Sequence, residues 1–277
     1  MTKDSYLIDA VGRQHQPAPG ARIVCLVPSI TELLCELGLA SRIVGRTGFC
    51  IHPRDVVETM PKVGGTKDVN IDKIRRLAPT HVVVNIDENE KPTVDRLAEF
   101  VPHVVVTHPN APRDNLGLAR LMGGIFGKEA EAQRWCAAFE DALARLRADV
   151  TRAPAPGRTV LYCIWQDPWM TVSKDTYIAN MLAELGWRVP GLGAARYPSF
   201  EWSQALVEGL DAVLLSTEPY RFTEQHADAL EKQIGIPVFL VDGEMMSWYG
   251  SRALAGIEYL RTLRAQVEGI TNYRSGS

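Results

Sequence analysis

The stretch VDGEMMSWYGSR, residues 241–252, follows the apolar run IPVFL and crowds Asp242, Glu244, Trp248, Tyr249 and Arg252 into one strand end. Carboxylates accept a ligand's donors, an arginine pairs with carboxylates or oxyanions, and indole and phenol rings stack on flat molecules. The same residues also suit a salt-bridged corner, so the stretch leaves binding and turning both open.

Five other segments concentrate chemistry in the same way. RTGFCIHP (46–53) carries Arg46, Phe49, Cys50 and His52; VGGTKDVN (63–70) carries Thr66 and Lys67; IDENEKP (86–92) carries Glu88 and Asn89. QDPWMTVSKDTY (166–177), directly after Trp165, carries Trp169 and Tyr177, and TEPYRF (217–222) carries Glu218 and Tyr220. Each has a plain alternative. Cys50 and His52 are two metal ligands where a structural zinc site needs four, or a packed thiol beside a proline turn. They also admit a nucleophile and base, which would require a lowered thiol pKa. Gly64-Gly65-Thr66-Lys67 cradles an anion or turns the chain, without phosphate-loop spacing. The acids of DENE (87–90) bind donors or start a helix. No GxSxG, HExxH, GxxxxGK[ST] or GxGxxG segment announces a standard enzyme class.

These loops need elements that end where they begin. RIVCLVPS (22–29) reads as a short buried strand, and ITELLCELGL as a helix with apolar residues at 30, 33, 34 and 37, capped by Ser29 or Thr31 and ended by Gly38. Strand RIVGR (42–46), helix IDKIRRLAP (71–79), strand THVVVN (80–85), helix VDRLAEF (94–100) and strand HVVVT (103–107) follow. The second half repeats the scheme with strand RTVLYCIW (158–165), helix TYIANMLAELG (176–186), amphipathic SQALVEGLD (203–211), strand AVLLST (212–217), helix HADALEKQIG (226–235) and strand PVFLVD (237–242). The alternation predicts an α/β fold of two Rossmann-like lobes with parallel sheets. Between them, residues 129–150 place Trp135, Phe139, Leu143, Leu146 and Val150 on one face with no glycine or proline, which predicts one long joining helix. The expected division is an N-terminal extension 1–20, an N-terminal lobe 21–128, the bridging helix 129–150 and a C-terminal lobe 151–277. A ligand cleft is expected between the lobes, outside the carboxyl ends of the strands.

Bulk properties narrow the function. A net charge of −3 without a basic run gives no reason to expect nucleic acid or an anionic membrane as partner. No run of about 18 apolar residues suggests a membrane span. The first twenty residues lack the apolar core of a signal peptide, which points to the cytoplasm, or to the periplasm if a signal has been removed. Five scattered cysteines suit reduced thiols better than a disulfide framework.

In the order of its parts the sequence resembles the class III solute-binding proteins of ABC importers, the helical backbone metal receptors that bind cobalamin, haem and iron-siderophores. RIVCLVPSITELLCELGL is similar to that family's opening strand, Ser/Pro turn and Thr-Glu helix; RLAPTHVVVN is similar to its L-x-P-D-hydrophobic strand, with Thr80 where aspartate is usual. Through the six loops the chain resembles most a signal-less branch described as cobalamin-binding-like. The resemblance implies a small-molecule ligand, cobalamin, a siderophore or another metal chelate. Trp165, Trp169, Trp248 and Tyr249 would stack on it, Arg46, Lys67 and Arg252 would pair with its oxyanions, and Glu88, Asn89, Glu218, Asp242 and Glu244 would accept its donors. Phe49, Cys50, His52, Thr66, Tyr177 and Tyr220 would complete the lining. Corrin-binding members present aromatics from both lobes, and here the first-lobe loops offer only Phe49. An ABC permease is the implied partner, docked through one carboxylate per lobe, Asp72 and a residue near Glu201. The rival reading is an enzyme using the same cleft, with Cys50, His52 or a carboxylate as its acid-base or metal group.

Overall fold

A computed structural model describes residues 7–154 and 157–275; residues 1–6 of the expected extension and 155–156 of the TRAPAPG segment lie outside the described residues. The chain in order forms β1 (Ile23–Cys25), α1 (Pro28–Glu36), β2 (Ile43–Arg46), α2 (Arg54–Val57), α3 (Ile71–Leu77), β3 (His81–Asn85), α4 (Lys91–Ala98), β4 (His103–Thr107), α5 (Asp114–Phe126) and α6 (Glu129–Arg152). There follow β5 (Val160–Trp165), β6 (Met170–Thr171), α7 (Tyr177–Ala183), α8 (Gln204–Glu208), β7 (Ala212–Ser216), α9 (Glu224–Ile234), β8 (Val238–Val241), α10 (Gly243–Ser247) and α11 (Arg252–Ser275). Two compact units result. One takes the chain as far as Pro109, Arg113–Phe139 and Tyr249–Ser251; the other takes Asn110–Pro112, Glu140–Trp248 and the chain from Arg252.

The first unit is built on a sheet of order β2-β1-β3-β4 with every pairing parallel. Helices on both faces of a parallel sheet leave no wet side, and β1 and β3 accordingly read as unbroken buried runs, IVC and HVVVN. Val24, Leu26, Ile74, Val82, Val84 and Leu97 share one core cluster. α1 starts earlier than expected because Pro28, which lacks the N–H that a first turn would leave unpaired, stands at its beginning. Ser29 and Thr31 therefore lie inside the first turn rather than capping it, and the Thr31 hydroxyl donates back to Val27 O at 2.9 Å. The open edge of β4 is blunted by the N-terminal segment: Ala10 N donates to Val106 O at 2.9 Å, and Asp9 Oδ2 accepts Val106 N at 3.1 Å. Burial pushes the Asp9 carboxyl pKa up, but hydrogen bonds from His15 and three backbone N–H groups outweigh it and hold the pKa below the ordinary value.

The second unit has the order β6-β5-β7-β8, with β5, β7 and β8 parallel and the two-residue β6 antiparallel on β5. β6 falls in a segment read from sequence as loop, since two residues are too few to show a period. Thr176 caps α7 by accepting Ala179 N at 3.3 Å. Asn110, delivered from far back in the chain, accepts Arg196 Nη2 at 2.9 Å through its side chain and Asn180 Nδ2 at 2.7 Å through its carbonyl.

The periodicity at 129–150 corresponds to α6, whose Trp135, Phe139, Leu143 and Leu146 are buried. The passage from one unit to the other falls inside this helix, between Phe139 and Glu140. α5 escaped sequence reading because nine of its thirteen residues are buried, which leaves no polar face to mark a period. Gly123 is obligatory there: a Cβ would lie 2.6 Å from Ala132 Cβ and 2.9 Å from Lys128 O.

At the amino ends of β3 and β4, His81 stacks on His103 with centroids 4.6 Å apart and meets Phe126 edge-on. Burial first, then the nearby His103 and His15, push the His81 pKa down to about 4. A folded-state pKa below the unfolded value stabilises the fold fully above about pH 6.5. That contribution is lost as pH falls through the folded value. Urea melts should therefore show stability falling between about pH 6.5 and pH 4 by up to roughly 3 kcal/mol. His81→Gln should flatten that slope, and an unchanged slope in the variant would place its origin elsewhere.

Candidate functional site

In the first unit, the loop after β2 is fastened before it is exposed. Arg46, only 2% accessible, donates from Nε (3.0 Å) and Nη2 (2.7 Å) to Val57 O and from Nη1 (3.0 Å) to Thr47 O. The wholly buried Cys50 Sγ lies 3.1 Å from Thr31 Oγ1 and 3.2 Å from Thr47 Oγ1. Burial pushes its pKa up despite those hydroxyls and the Arg46 charge, so the thiol is neutral rather than a thiolate. Phe49, by contrast, is 62% exposed and lies against Gly65, with Ile51 also exposed beside it. Among the described residues no group of three or more His, Cys, Asp or Glu is placed to hold a metal ion.

The Gly64-Gly65 pair makes a tight turn. Gly64 has φ 109°, and a Cβ on it would lie 2.3 Å from Asp68 O; Gly65 N donates to that same carbonyl at 2.8 Å. Lys67 is exposed and Thr66 half-buried. Asn89 ties two strand ends to the Gly64-Gly65 turn: Oδ1 accepts Asn85 N at 2.9 Å, while Nδ2 donates to Thr66 O at 2.9 Å and Leu26 O at 3.4 Å. Its amide is thereby occupied by the protein's own backbone. Glu88 accepts the hydroxyl of Tyr249, and Gly250 N donates to Asn115 Oδ1 at 2.6 Å. Burial, then the Glu88 charge, raises the Tyr249 pKa well above its ordinary value, so this phenol stays a donor. Gly250 has φ 81°, and a Cβ there would come within 3.1 Å of Ser29 O.

In the second unit, Trp165 at the end of β5 is 40% exposed and meets Tyr220 edge-on at 5.5 Å. Trp169 is half-buried, stacked on Phe222 at 5.8 Å and edge-on to Trp202 at 5.5 Å. Tyr177 is buried in the first turn of α7. The stretch after β8 holds a helix, α10, rather than a loop. Asp242 caps it by accepting Met245 N at 3.2 Å, and Gly243 starts it at a point where a Cβ would lie 2.5 Å from Glu218 Cγ. Arg252 pairs with Glu244 at 3.1 Å and sits over the Trp248 ring at 5.2 Å. The corner salt bridge thus exists, and the acids and arginine that suggested binding also fold this turn.

Glu218, after β7, gathers the turn. Its Oε1 accepts Ser247 Oγ at 3.0 Å and Trp248 Nε1 at 2.7 Å. Burial raises its pKa, with Glu244 and Asp242 adding to the rise and the two donors opposing it. Trp248 and Tyr249 are 9% and 8% exposed, which leaves little of either ring to a ligand. Sequence reasoning missed Ile86, exposed in the loop after β3, and Tyr197, exposed on the segment paired with β6. The available signal was an isolated apolar residue among polar or turn residues, as in NIDEN and ARYPS.

A family model described as periplasmic binding protein matches residues 23–213. An uncharacterized ABC transporter substrate-binding lipoprotein of Bacillus subtilis, YvrC, is 22% identical over 254 residues, covering 86% of this chain and 78% of that protein. Among solved structures, the periplasmic vitamin B12 binding protein BtuF of Vibrio cholerae superposes with a TM-score of 0.79 at 17% identity, over 91% of this chain and 99% of that one. The periplasmic heme-binding protein RhuT from Roseiflexus superposes with a TM-score of 0.73 at 20% identity, over 89% of this chain and 98% of that one. These likenesses establish the fold.

The Glu218 arrangement predicts a stability pattern. Trp248→Phe keeps the ring but removes a donor from a half-buried carboxylate, and should cost about 1–3 kcal/mol in chemical denaturation. Glu218→Gln retains an acceptor and sheds a costly charge, and should change stability by less than about 1 kcal/mol. The reverse order would show that the indole hydrogen bond does not hold the turn.

Proposed function

The chain belongs to the periplasmic binding protein family, and from that premise we propose that it holds a flat metal chelate of the corrin or haem type with the loops at its strand carboxyl ends. One observation carries this reading. Seven large hydrophobic residues are exposed among the described residues, and five of them, Phe49, Ile51, Ile86, Trp165 and Tyr197, lie on those loops or beside them. Exposed apolar groups that gather at the ligand end of parallel sheets suit a large flat ligand better than a small ion. The vitamin B12- and heme-binding proteins of like fold support the same class.

In this reading Phe49 supplies a ring face in the first unit, with Ile51 and Ile86 as its apolar lining. In the second unit Trp165 supplies one, backed by Tyr220, with Tyr197 as lining and Trp169 stacked behind on Phe222. Lys67 pairs with peripheral carboxylates, while Glu218 and Asp242 accept amide or hydroxyl donors. Glu88, Asn89, Tyr177, Glu244, Trp248, Tyr249 and Arg252 act one step back, by holding the loops that carry those groups. The metal arrives with the ligand. Catalysis through Cys50 is disfavoured by its burial, its hydrogen bonds and its raised pKa.

Membership of a substrate-binding family gives the chain a small-molecule ligand and an ABC permease as partners. Asp72 in the first turn of α3 and Glu201 are both exposed and are our candidates for the docking carboxylates. No helix among the described residues is long and apolar enough to cross a membrane. The binding chemistry is the same in the cytoplasm or outside it, and cell fractionation decides between them.

Titration with cyanocobalamin, haemin and a ferric siderophore, followed by tryptophan fluorescence, should reveal saturable binding of at least one. Trp165→Ala and Phe49→Ala should each weaken it about tenfold or more with little change in the unfolding midpoint, since both rings are exposed. Cys50→Ser should leave binding intact. Absence of binding by all three, or wild-type affinity in both aromatic variants, would end the chelate reading.

A further inference from the structure

A cavity of about 390 Å³ opens beside β2, lined among others by Arg46, His52, Arg54, Glu58 and Lys62. Its charges do not balance. Glu58 is its one carboxylate, and that group is committed to Arg54 at 2.8 Å on the exposed rim. Arg46 is buried, and its hydrogen bonds all go to neutral main-chain carbonyls, two to Val57 O and one to Thr47 O. Three of five guanidinium N–H groups are thereby used, and no carboxylate among the described residues neutralises the charge. A buried cation without a counter-charge costs several kcal/mol in order of magnitude.

A second, independent feature sharpens the imbalance. Arg46 and Lys62 are partners in a parallel bridge, fixed by Arg46 N donating to Pro61 O at 3.0 Å and Val63 N donating to Arg46 O at 2.8 Å. Directly paired residues project from the same face, and like charges so placed repel. An anion between them turns that repulsion into attraction.

We propose that this cavity is an oxyanion site, in which a phosphate or carboxylate group takes the remaining N–H groups of Arg46 and the ammonium of Lys62. The planar guanidinium fork suits two oxygens of one such group, and the bridging register brings Lys62 to line the same cavity. The site uses neither the exposed rings nor Glu218, although Ile51 lines this cavity as well as the chelate's apolar surface. Its occupant is either free inorganic phosphate or the carboxylate of a small organic acid, and the two are distinguished by experiment.

The test is calorimetric titration of the full chain, free of any chelate, with sodium phosphate and separately with sodium citrate, each against sodium chloride at matched ionic strength. Saturable binding of phosphate alone identifies an inorganic ion; saturable binding of citrate identifies a carboxylate, and either supports the site. Lys62→Gln, at an exposed position, should fold normally and weaken the isotherm about tenfold. Arg46→Lys should abolish it, and a folding failure there leaves Lys62→Gln to decide. If neither anion binds beyond chloride, or Lys62→Gln titrates like the wild type, the proposal is overturned and Arg46 is only a clasp on the Val57 carbonyl.

Discussion

Parallel pairing is the constraint on which this molecule depends. A parallel strand cannot return by a tight hairpin, so the chain must cross over after each strand and start the next from the same side. In the first unit all four strands therefore end together, and in the second β5, β7 and β8 do. Residues separated by scores of positions are delivered to one rim by this rule alone. The loops after β2 and β3, and those after β5, β7 and β8, need no further device to become neighbours within their own sheets.

What the rim residues do once delivered is decided by a contest between exposure and internal pairing. Asn89 spends its amide on the ends of other loops, and Glu88 is taken by the Tyr249 hydroxyl. Glu218 collects an indole and a hydroxyl on one oxygen, while Arg252 divides itself between Glu244 and the face of Trp248. These groups make the loops rigid. Phe49, Ile86 and Trp165 stand exposed on that scaffold, an arrangement that spares a ligand much of the cost of ordering the protein.

The sequence displayed the sheets better than it displayed the site. Buried parallel strands such as HVVVN and VLYCIW are continuous apolar runs bounded by turns, and their identity survives any tertiary context. α5 hid because burial on nearly all sides erased its period, and α10 hid because GEMMS begins on the glycine that its approach to Glu218 requires. Charge and aromaticity found the loops correctly but could not tell outward groups from inward ones. Arg46 looked like a partner of the chelate; its guanidinium folds back on Val57 O, eleven residues onward, a choice made by the path of the loop rather than by local sequence, and leaves only its remaining N–H groups for an anion. Trp248 and Tyr249 looked like ring walls and are nearly covered, whereas the exposed Ile86 and Tyr197 carried no charge or motif to draw attention.

The central claim is that the exposed rim exists to hold a metal chelate. Native mass spectrometry with metal analysis of the protein isolated from its own cells addresses it most directly. The account predicts a mass increment matching a corrin, haem or siderophore together with a stoichiometric transition metal, both lost on denaturation. A chain that carries an organic ligand with no metal would contradict it.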